Sequence, residues 1–296
     1  AIYPIKFWAK KRLLYSNKLG YLGGISWALL VAKVCQLYPD QTPPVLVCLL
    51  FLFLDTWDWV NPVSINQIRI SNEGTFHLNG QMPIITPAYP QQNSTYNVTR
   101  STLWQMKQEF KIFRGITAEI VQQHTKSWND FFKQRNFFSE FKVYVRVQIT
   151  GTTEDAMRIW EGFLESRIRK LSGELERTYN IAYAVPSTEK FNDPEEPRLN
   201  SNFFIGIVSS SPTAIIDLSE AVCNFTFGVK SFKYFNEATM GLSISWSSKK
   251  RLPDFCFPNG KPAARKRQRP SKDVQSVPPY KKRKNTNTNF NNSTGR

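Results

Sequence analysis

The stretch FKVYVRVQI, residues 141–149, decides how the chain divides. Phe141, Val143, Val145, Val147 and Ile149 alternate with Lys142, Tyr144, Arg146 and Gln148. Such alternation is the period of a strand with one face buried. The apolar row predicts packing against helices, and the other row predicts a half-buried strand with a basic outer face. Downstream, Met157, Trp160, Leu164, Ile168, Leu171 and Leu175 recur at helical spacing and predict one long helix with a buried stripe. NIAYAV (180–185) and NFFIGIVSS (202–210) read as strands, 216–227 as a short helix, and MGLSISW (240–246) as a last strand. The order β-α-β-β-α-β predicts a compact α+β sheet with helices on one face.

Upstream of that stretch the period is helical. Lys6 and Lys10 in PIKFWAKKRLLYSN stand four apart, so a helix places them on one face. Ile25–Tyr38 is apolar on nearly every side and stops at Pro39, as a central buried helix does. The apolar run VLVCLLFLFL covers 45–54 and is too short to cross a bilayer, which takes about 20 residues. It reads as a second buried helix. Residues 61–100 lose periodicity and read as a long loop region. An amphipathic helix follows, with Leu103, Met106, Phe110, Phe113 and Ile120 at helical spacing and a capping box at Thr102 and Gln105. A boundary between an all-α first half and an α+β second half is expected near 120–135.

Across 296 residues the hydrophobic content is 41% and the aromatic content 14%, enough for bulky cores in two domains. The net charge of +16 is uneven. Residues 249–296 carry 14 Lys/Arg against two Asp/Glu, a net of +12, which leaves +4 for residues 1–248. Beyond Trp246 the chain is rich in Pro, Lys, Arg and Asn, a composition that predicts disorder. A cationic tail favours a polyanion, and RNA, DNA or an acidic carrier protein each satisfies it. KPAARKRQR (261–269) and KKRK (281–284) are spaced like a bipartite nuclear localisation signal.

The motifs exclude much. Cys35, Cys48, Cys223 and Cys256 are widely separated and give neither a disulfide framework nor a zinc spacing. A reduced compartment is the simpler expectation, and the sequons at Asn93, Asn97, Asn224 and Asn292 would matter only in a secreted protein. His77 and His124 stand alone. No two aspartates are spaced D-x-D, and Asp55 and Asp58 in DTWD read as a solvated helix end. There is no G-x-S-x-G, H-E-x-x-H or P-loop signature. The chain opens at Ala1 without a methionine or a signal peptide and is expected to be a fragment. One stretch stays open between two readings: LLYSNKLGYLGGISWALL, 13–30. Lysines, a phenol and Gly23-Gly24 ahead of a helix suit a phosphate-bearing ligand. A plain turn between two helices suits them too, and spacing alone favours the turn.

Longer strings carry a resemblance. IKFWAKKRLLYSNKLGYLGGISWALLVAKVCQLYP, MPIITPAYPQQNSTYNV (82–98), the W-x-W-x-N-P pattern in WDWVNPV (57–63) and ESRIRKLSGELE (165–176) resemble segments of eukaryotic nuclear poly(A) polymerases. The resemblance covers about residues 1–250. It implies a helical middle domain over 1–125, an α+β RRM-like (ferredoxin-like) RNA-binding domain over 126–250 and a disordered basic tail over 251–296. It implies a polynucleotide adenylyltransferase that adds AMP from ATP to RNA 3′ ends with Mg²⁺ or Mn²⁺, the metal-binding aspartates lying upstream of Ala1. The fragment alone is therefore expected to be inactive. By the same resemblance Lys6, Lys10 and Tyr15 match contacts to the triphosphate, Asn17 a contact near the nucleoside, and Gly24 and Ile25 the pair that closes on adenine. Asn97 and Arg169 match RNA contacts, although Arg169 also suits a helix ion pair with Glu165. Expected partners are ATP, the 3′ end of pre-mRNA, a nuclear import receptor and the cleavage and polyadenylation machinery, with no membrane. Nuclear localisation follows. The sequence departs from the family in SINQIRISNEGTFHLNGQ (64–81), where relatives carry Trp-Asp-Pro. It also lacks the G-[FY]-[GA]-F signature of RNA-stacking strands, so charge and backbone contacts are expected to hold RNA. The alternatives are a non-enzymatic nuclear RNA-binding protein of the same ancestry and a polymerase adding uridine or CCA.

Overall fold

In the computed structural model, residues 2–68, 80–211, 213, 215–257 and 260 are described. The basic clusters at 261–269 and 281–284 and most of the 64–81 segment lie outside them. Helix α1 (Ile2–Lys11) is followed by α2 (Gly24–Leu37) and α3 (Pro43–Thr56). The ten-residue apolar run forms the body of α3, and proline opens that helix where its missing N–H costs nothing. Trp8 is wholly buried among the helices. Its ring meets Trp27, Phe51 and Phe113 edge-on at centroid distances of 5.8, 4.7 and 5.1 Å. Among the described residues no helix is long and apolar enough to cross a membrane.

Helix α4 (Arg100–Ala118) starts three residues before the expected capping box. Thr99 is the N-cap, and its reciprocal partner is Thr102. The reason is tertiary, since the Glu176 carboxylate accepts from Ser101 N at 2.9 Å and satisfies the first turn from outside. The helix runs on as a π-helical turn, Glu119–Gln123, and a short α5 (Trp128–Phe131) follows.

The alternating stretch becomes β1 (Val143–Gly151). It lies inside a four-stranded antiparallel sheet with β2 (Ile181–Phe191), β3 (Leu199–Ser209) and β4 (Met240–Ser248), in the order β2-β3-β1-β4. Val145 stands opposite Ile205 and Trp246, and Val147 opposite Phe203 and Ile244. Val145, Val147, Phe203 and Ile205 of that row share a core with the helices that follow β1 and β3, while Trp246 stays half exposed. The expected long helix is broken. It forms α6 (Glu154–Glu165) and α7 (Ile168–Arg177), and its stripe stays buried. At the break Ser166 Oγ donates to Phe163 O at 2.6 Å and Arg167 N to Leu164 O at 2.7 Å, which tightens the turn and ends the α-helical ladder. Helix α8 (Ser219–Lys230) completes the layer.

The other face of the sheet differs from expectation. Tyr144 is only 1% exposed. A second core of Phe137, Phe138, Phe141, Val185, Phe204, Leu252 and Cys256 covers it. Phe141 lies just outside β1 and joins this side, not the helix side, because Gly206 leaves the sheet bare where its ring lands. Arg146 donates to Asn202 Oδ1 and Asp193 Oδ2, both at 2.8 Å, and its guanidinium rests over Phe255. The outer face is therefore apolar and internally paired, not basic and solvated. The order expected to end at Trp246 extends to Phe257: β4 reaches Ser248, and the 3₁₀ turns Lys249–Arg251 and Asp254–Cys256 strap the second core.

The helices and the sheet belong to one compact unit. Arg12 holds Glu109 through two bonds, at 2.8 and 3.0 Å, and Arg135 holds Glu140 through two more, both at 2.7 Å. Arg135 is nearly inaccessible and also lies 3.9 Å from Glu109. Its guanidinium is held charged by the Glu140 hydrogen bond despite the burial that opposes charge. Tyr21 donates to Pro186 O at 2.7 Å, Ala184 N to Ser101 Oγ at 2.8 Å, and Trp104 stacks on Tyr183 at 4.6 Å.

Candidate functional site

Helix α1 ends because Leu13 takes a positive φ of 60°. The chain then turns back through Tyr15–Gly23, pinned by an isolated parallel bridge between Tyr15 and Leu22. Gly20 has φ +89°, and a Cβ there would stand 2.9 Å from the Asn97 carbonyl oxygen. Both the conformation and the approach require glycine. Asn97 is 6% exposed, and its Nδ2 donates to Asn17 O at 3.1 Å. The loop before α4 thus props the turn, while Asn97 Oδ1 is buried and has no hydrogen-bond partner.

The turn delivers Tyr15 to the start of α2. A Cβ on Gly24 would lie 2.8 Å from Tyr15 Oη and 3.7 Å from Lys6 Nζ. The phenol and the ammonium therefore converge on the bare backbone at the helix N-terminus. Lys10 Nζ sits 5.3 Å from the centre of the Tyr15 ring. The N-cap, Gly23, has extended backbone and no capping side chain. The first N–H groups of a 14-residue helix are free of a capping acceptor, and the positive end of its dipole points toward the two lysines' region. Anionic oxygen is the chemistry that such a set accepts: two ammonium groups, one hydroxyl donor and helix N–H groups. Ile25, next in line, is 55% exposed at the start of a helix whose middle is buried.

The structure brings Lys6, Lys10, Tyr15, Asn17, Gly24 and Asn97 together, with Ile25 at their edge. Arg169 is apart. It lies in the first turn of α7, its Nε is buried without a hydrogen-bond partner, and no hydrogen bond or ion pair ties it to the cluster. It does not pair with Glu165, which bonds Lys18 Nζ at 3.4 Å instead. The break after Glu165 removes the helical register that an i,i+4 pair needs. Lys18–Glu165 is a link that sequence reading missed, for no periodicity relates residues so far apart. Gly20 was legible as one of three clustered glycines, but its contact with Asn97 was not. Among the described residues no three of His, Cys, Asp and Glu stand close enough to hold a metal ion.

The model of the "Poly(A) polymerase central domain" matches residues 1–134, and that of the "Poly(A) polymerase predicted RNA binding domain" matches 136–202. Nuclear poly(A) polymerase 4 of Arabidopsis thaliana is 36% identical over 86% of this chain and 36% of its own length. Nuclear poly(A) polymerase 1 of the same plant is 35% identical over 86% of this chain and 37% of its own. Poly(A) polymerase of Dictyostelium discoideum is 36% identical over 88% of this chain and 34% of its own. The chain spans about a third of the length of the curated relatives it matches. With both matched segments running consecutively along one folded unit, the chain belongs to the poly(A) polymerase family.

Proposed function

We propose that this chain forms the central and C-terminal part of a nuclear poly(A) polymerase, which adds AMP from ATP to the 3′ ends of mRNA precursors. One observation carries the reading: the Lys6 ammonium and the Tyr15 hydroxyl meet at the uncapped start of α2. In this reading Lys6, Lys10 and Tyr15 donate to triphosphate oxygens, and the helix N-terminus adds its dipole. Asn17 faces the nucleoside, and the Gly24 backbone with Ile25 forms the apolar wall against the adenine. Asn97 and Arg169 serve RNA; the unsatisfied Asn97 Oδ1 and Arg169 Nε are groups that a ligand can satisfy. The described residues of this chain do not suit Mg²⁺ or Mn²⁺, since no carboxylate cluster accompanies the cationic site. They bind and orient; no step through a metal is assigned to them.

Residues 1–125 then act as the helical middle domain, 126–250 as the RRM-like domain and 251–296 as a basic tail. The strand order β2-β3-β1-β4 supports the RRM-like description. The basic clusters of the tail address the protein to the nucleus through an import receptor, and the polymerase works with the cleavage and polyadenylation machinery. The test is incorporation of ATP onto an oligo(A) primer with Mg²⁺ or Mn²⁺. The full-length protein is expected to tail the primer and this chain alone to leave it unextended. Tailing by the chain alone would overturn the placement of catalysis elsewhere. RNA binding without tailing by the full-length protein would favour the non-enzymatic RNA-binding alternative.

A further inference from the structure

The helix side of the sheet carries a groove whose lining includes no residue of the Lys6–Tyr15–Gly24 cluster. It lies between α7 and α8, with a volume of about 450 Å³, and the end of α6 supplies one wall. That volume falls within the roughly 300–1,000 Å³ of ligand sites. Arg167, Lys170 and Lys233 line it, and none of the three has a carboxylate partner among the described residues. Arg167 differs in this from Arg12, Arg114, Arg135, Arg146, Arg158, Arg177 and Arg198, which are all paired to acids. The groove's acidic residue, Glu174, is already occupied by Arg177. Phe163 and Phe232 form the floor as a parallel stack, with centroids 3.9 Å apart and planes within 15°, and Arg167 lies 4.9 Å over Phe163.

Unpaired cations spaced along a groove, with flat aromatic rings between them, are the combination that holds single-stranded nucleic acid. The cations follow the phosphates, and the rings and the guanidinium plane offer surfaces for a base. An acidic peptide would use the cations but leave the aromatic floor without a role. The usual alternative, the outer face of the sheet, is closed by the second core of Phe138, Phe141 and Tyr144 and by the 249–257 strap. We propose that the α7–α8 groove binds a segment of single-stranded RNA through residues other than those of the Lys6–Tyr15–Gly24 cluster, so that the domain grips RNA by its helix face and not by its sheet. The inference rests on the reading of this chain as part of an RNA-tailing enzyme.

The test uses the whole chain and a fluorescent single-stranded oligo(A), with binding followed by anisotropy across a salt series. The variant is Arg167→Ala/Lys170→Ala/Lys233→Ala. The control removes three cations elsewhere, Lys107→Ala/Lys111→Ala/Lys142→Ala, all exposed and without a carboxylate partner. The expected result is at least a tenfold loss of affinity for the groove variant, with a salt slope shallower by about two, and a smaller loss for the control. Photo-crosslinking of a 4-thiouridine-substituted strand is expected on peptides containing Phe163 or Phe232. Equal losses in both variants, or no change in the groove variant while the wild-type chain binds RNA, would overturn the groove alone. Absence of RNA binding by the wild-type chain would overturn the RNA reading itself. Loss of polyglutamate binding by the groove variant, with RNA binding intact, would replace RNA by an acidic protein partner.

Discussion

Gly20 shows how one atom's absence organises the Tyr15–Gly23 turn. Its positive φ lies where a Cβ is strained, and the Asn97 carbonyl fills the space that a Cβ would need. Because Asn97 in turn holds Asn17, a methyl at position 20 would move both sides of the cluster. Gly20→Ala is expected to lower stability by about 2 kcal/mol, combining a left-handed strain of 1–2 kcal/mol with a backbone contact that cannot relax freely. Urea denaturation measures it. A midpoint within error of the wild type would mean that the turn is not held as described. Gly24 is a different case, for the atom it would meet is the mobile end of Tyr15, so the cost there falls on ligand access more than on folding.

At the scale of elements, the strand period of 141–149 and the helical stripe from Met157 to Leu175 were both readable, because burial on one face writes a period into the sequence. What no period records is where a helix breaks. All six stripe residues stay buried through the turn at Ser166 and Arg167, so the apolar pattern is the same for one helix or two. Nor does alternation say what lies over a strand's second face. Phe141 and Tyr144 were readable as aromatic, but their burial depends on the neighbouring Phe138 and on Leu252 and Cys256, which arrive from far along the chain and from a region whose composition reads as disordered. This second core has a measurable weight. Phe138 is 4% exposed and meets Tyr144, Phe191, Phe204 and Phe257. Phe138→Ala is expected to cost about 3–5 kcal/mol, as other large buried aromatics do. A loss below about 1 kcal/mol, again by denaturation, would mean that the strap and the 137–141 segment do not seal the sheet. In the candidate site the lysines, the phenol and the glycines were named from the sequence, while their convergence depends on a turn held by the Tyr15–Leu22 bridge, the Asn97–Asn17 bond and the close approach of Gly20 to Asn97.

On the scale of the whole molecule, the helical layer and the sheet are fastened by groups buried between them. Tyr21 is one, wholly inaccessible and donating to Pro186 O. Burial raises its pKa above the ordinary phenol value near 10, with Arg135 opposing in part. Tyr144 is raised by burial in the same direction. The sign follows from linkage: the folded chain keeps these protons when the unfolded chain releases them. Their contribution is complete below about pH 10 and is lost as the pH rises above it, by up to about 3 kcal/mol per pH unit for two such groups. Stability followed by urea midpoints between pH 8 and 11.5 is expected to fall at the alkaline end. Tyr21→Phe is expected to make that fall shallower by about half. An unchanged alkaline slope in Tyr21→Phe would show that the phenol is not held neutral in the folded state.

The same fastening fixes the turn against the sheet, so the cluster at the start of α2 is presented on a rigid frame. The central claim is that this cluster grips the triphosphate of ATP, and nucleotide affinity in the intact polymerase tests it most directly. Competition against a fluorescent ATP analogue is expected to show Lys6→Ala weakened about 10- to 100-fold, the loss of one charge-assisted bond of roughly 1.5–3 kcal/mol. Tyr15→Phe is expected to be weakened several-fold, with both variants keeping the wild-type denaturation midpoint. Wild-type affinity in both variants would contradict the claim.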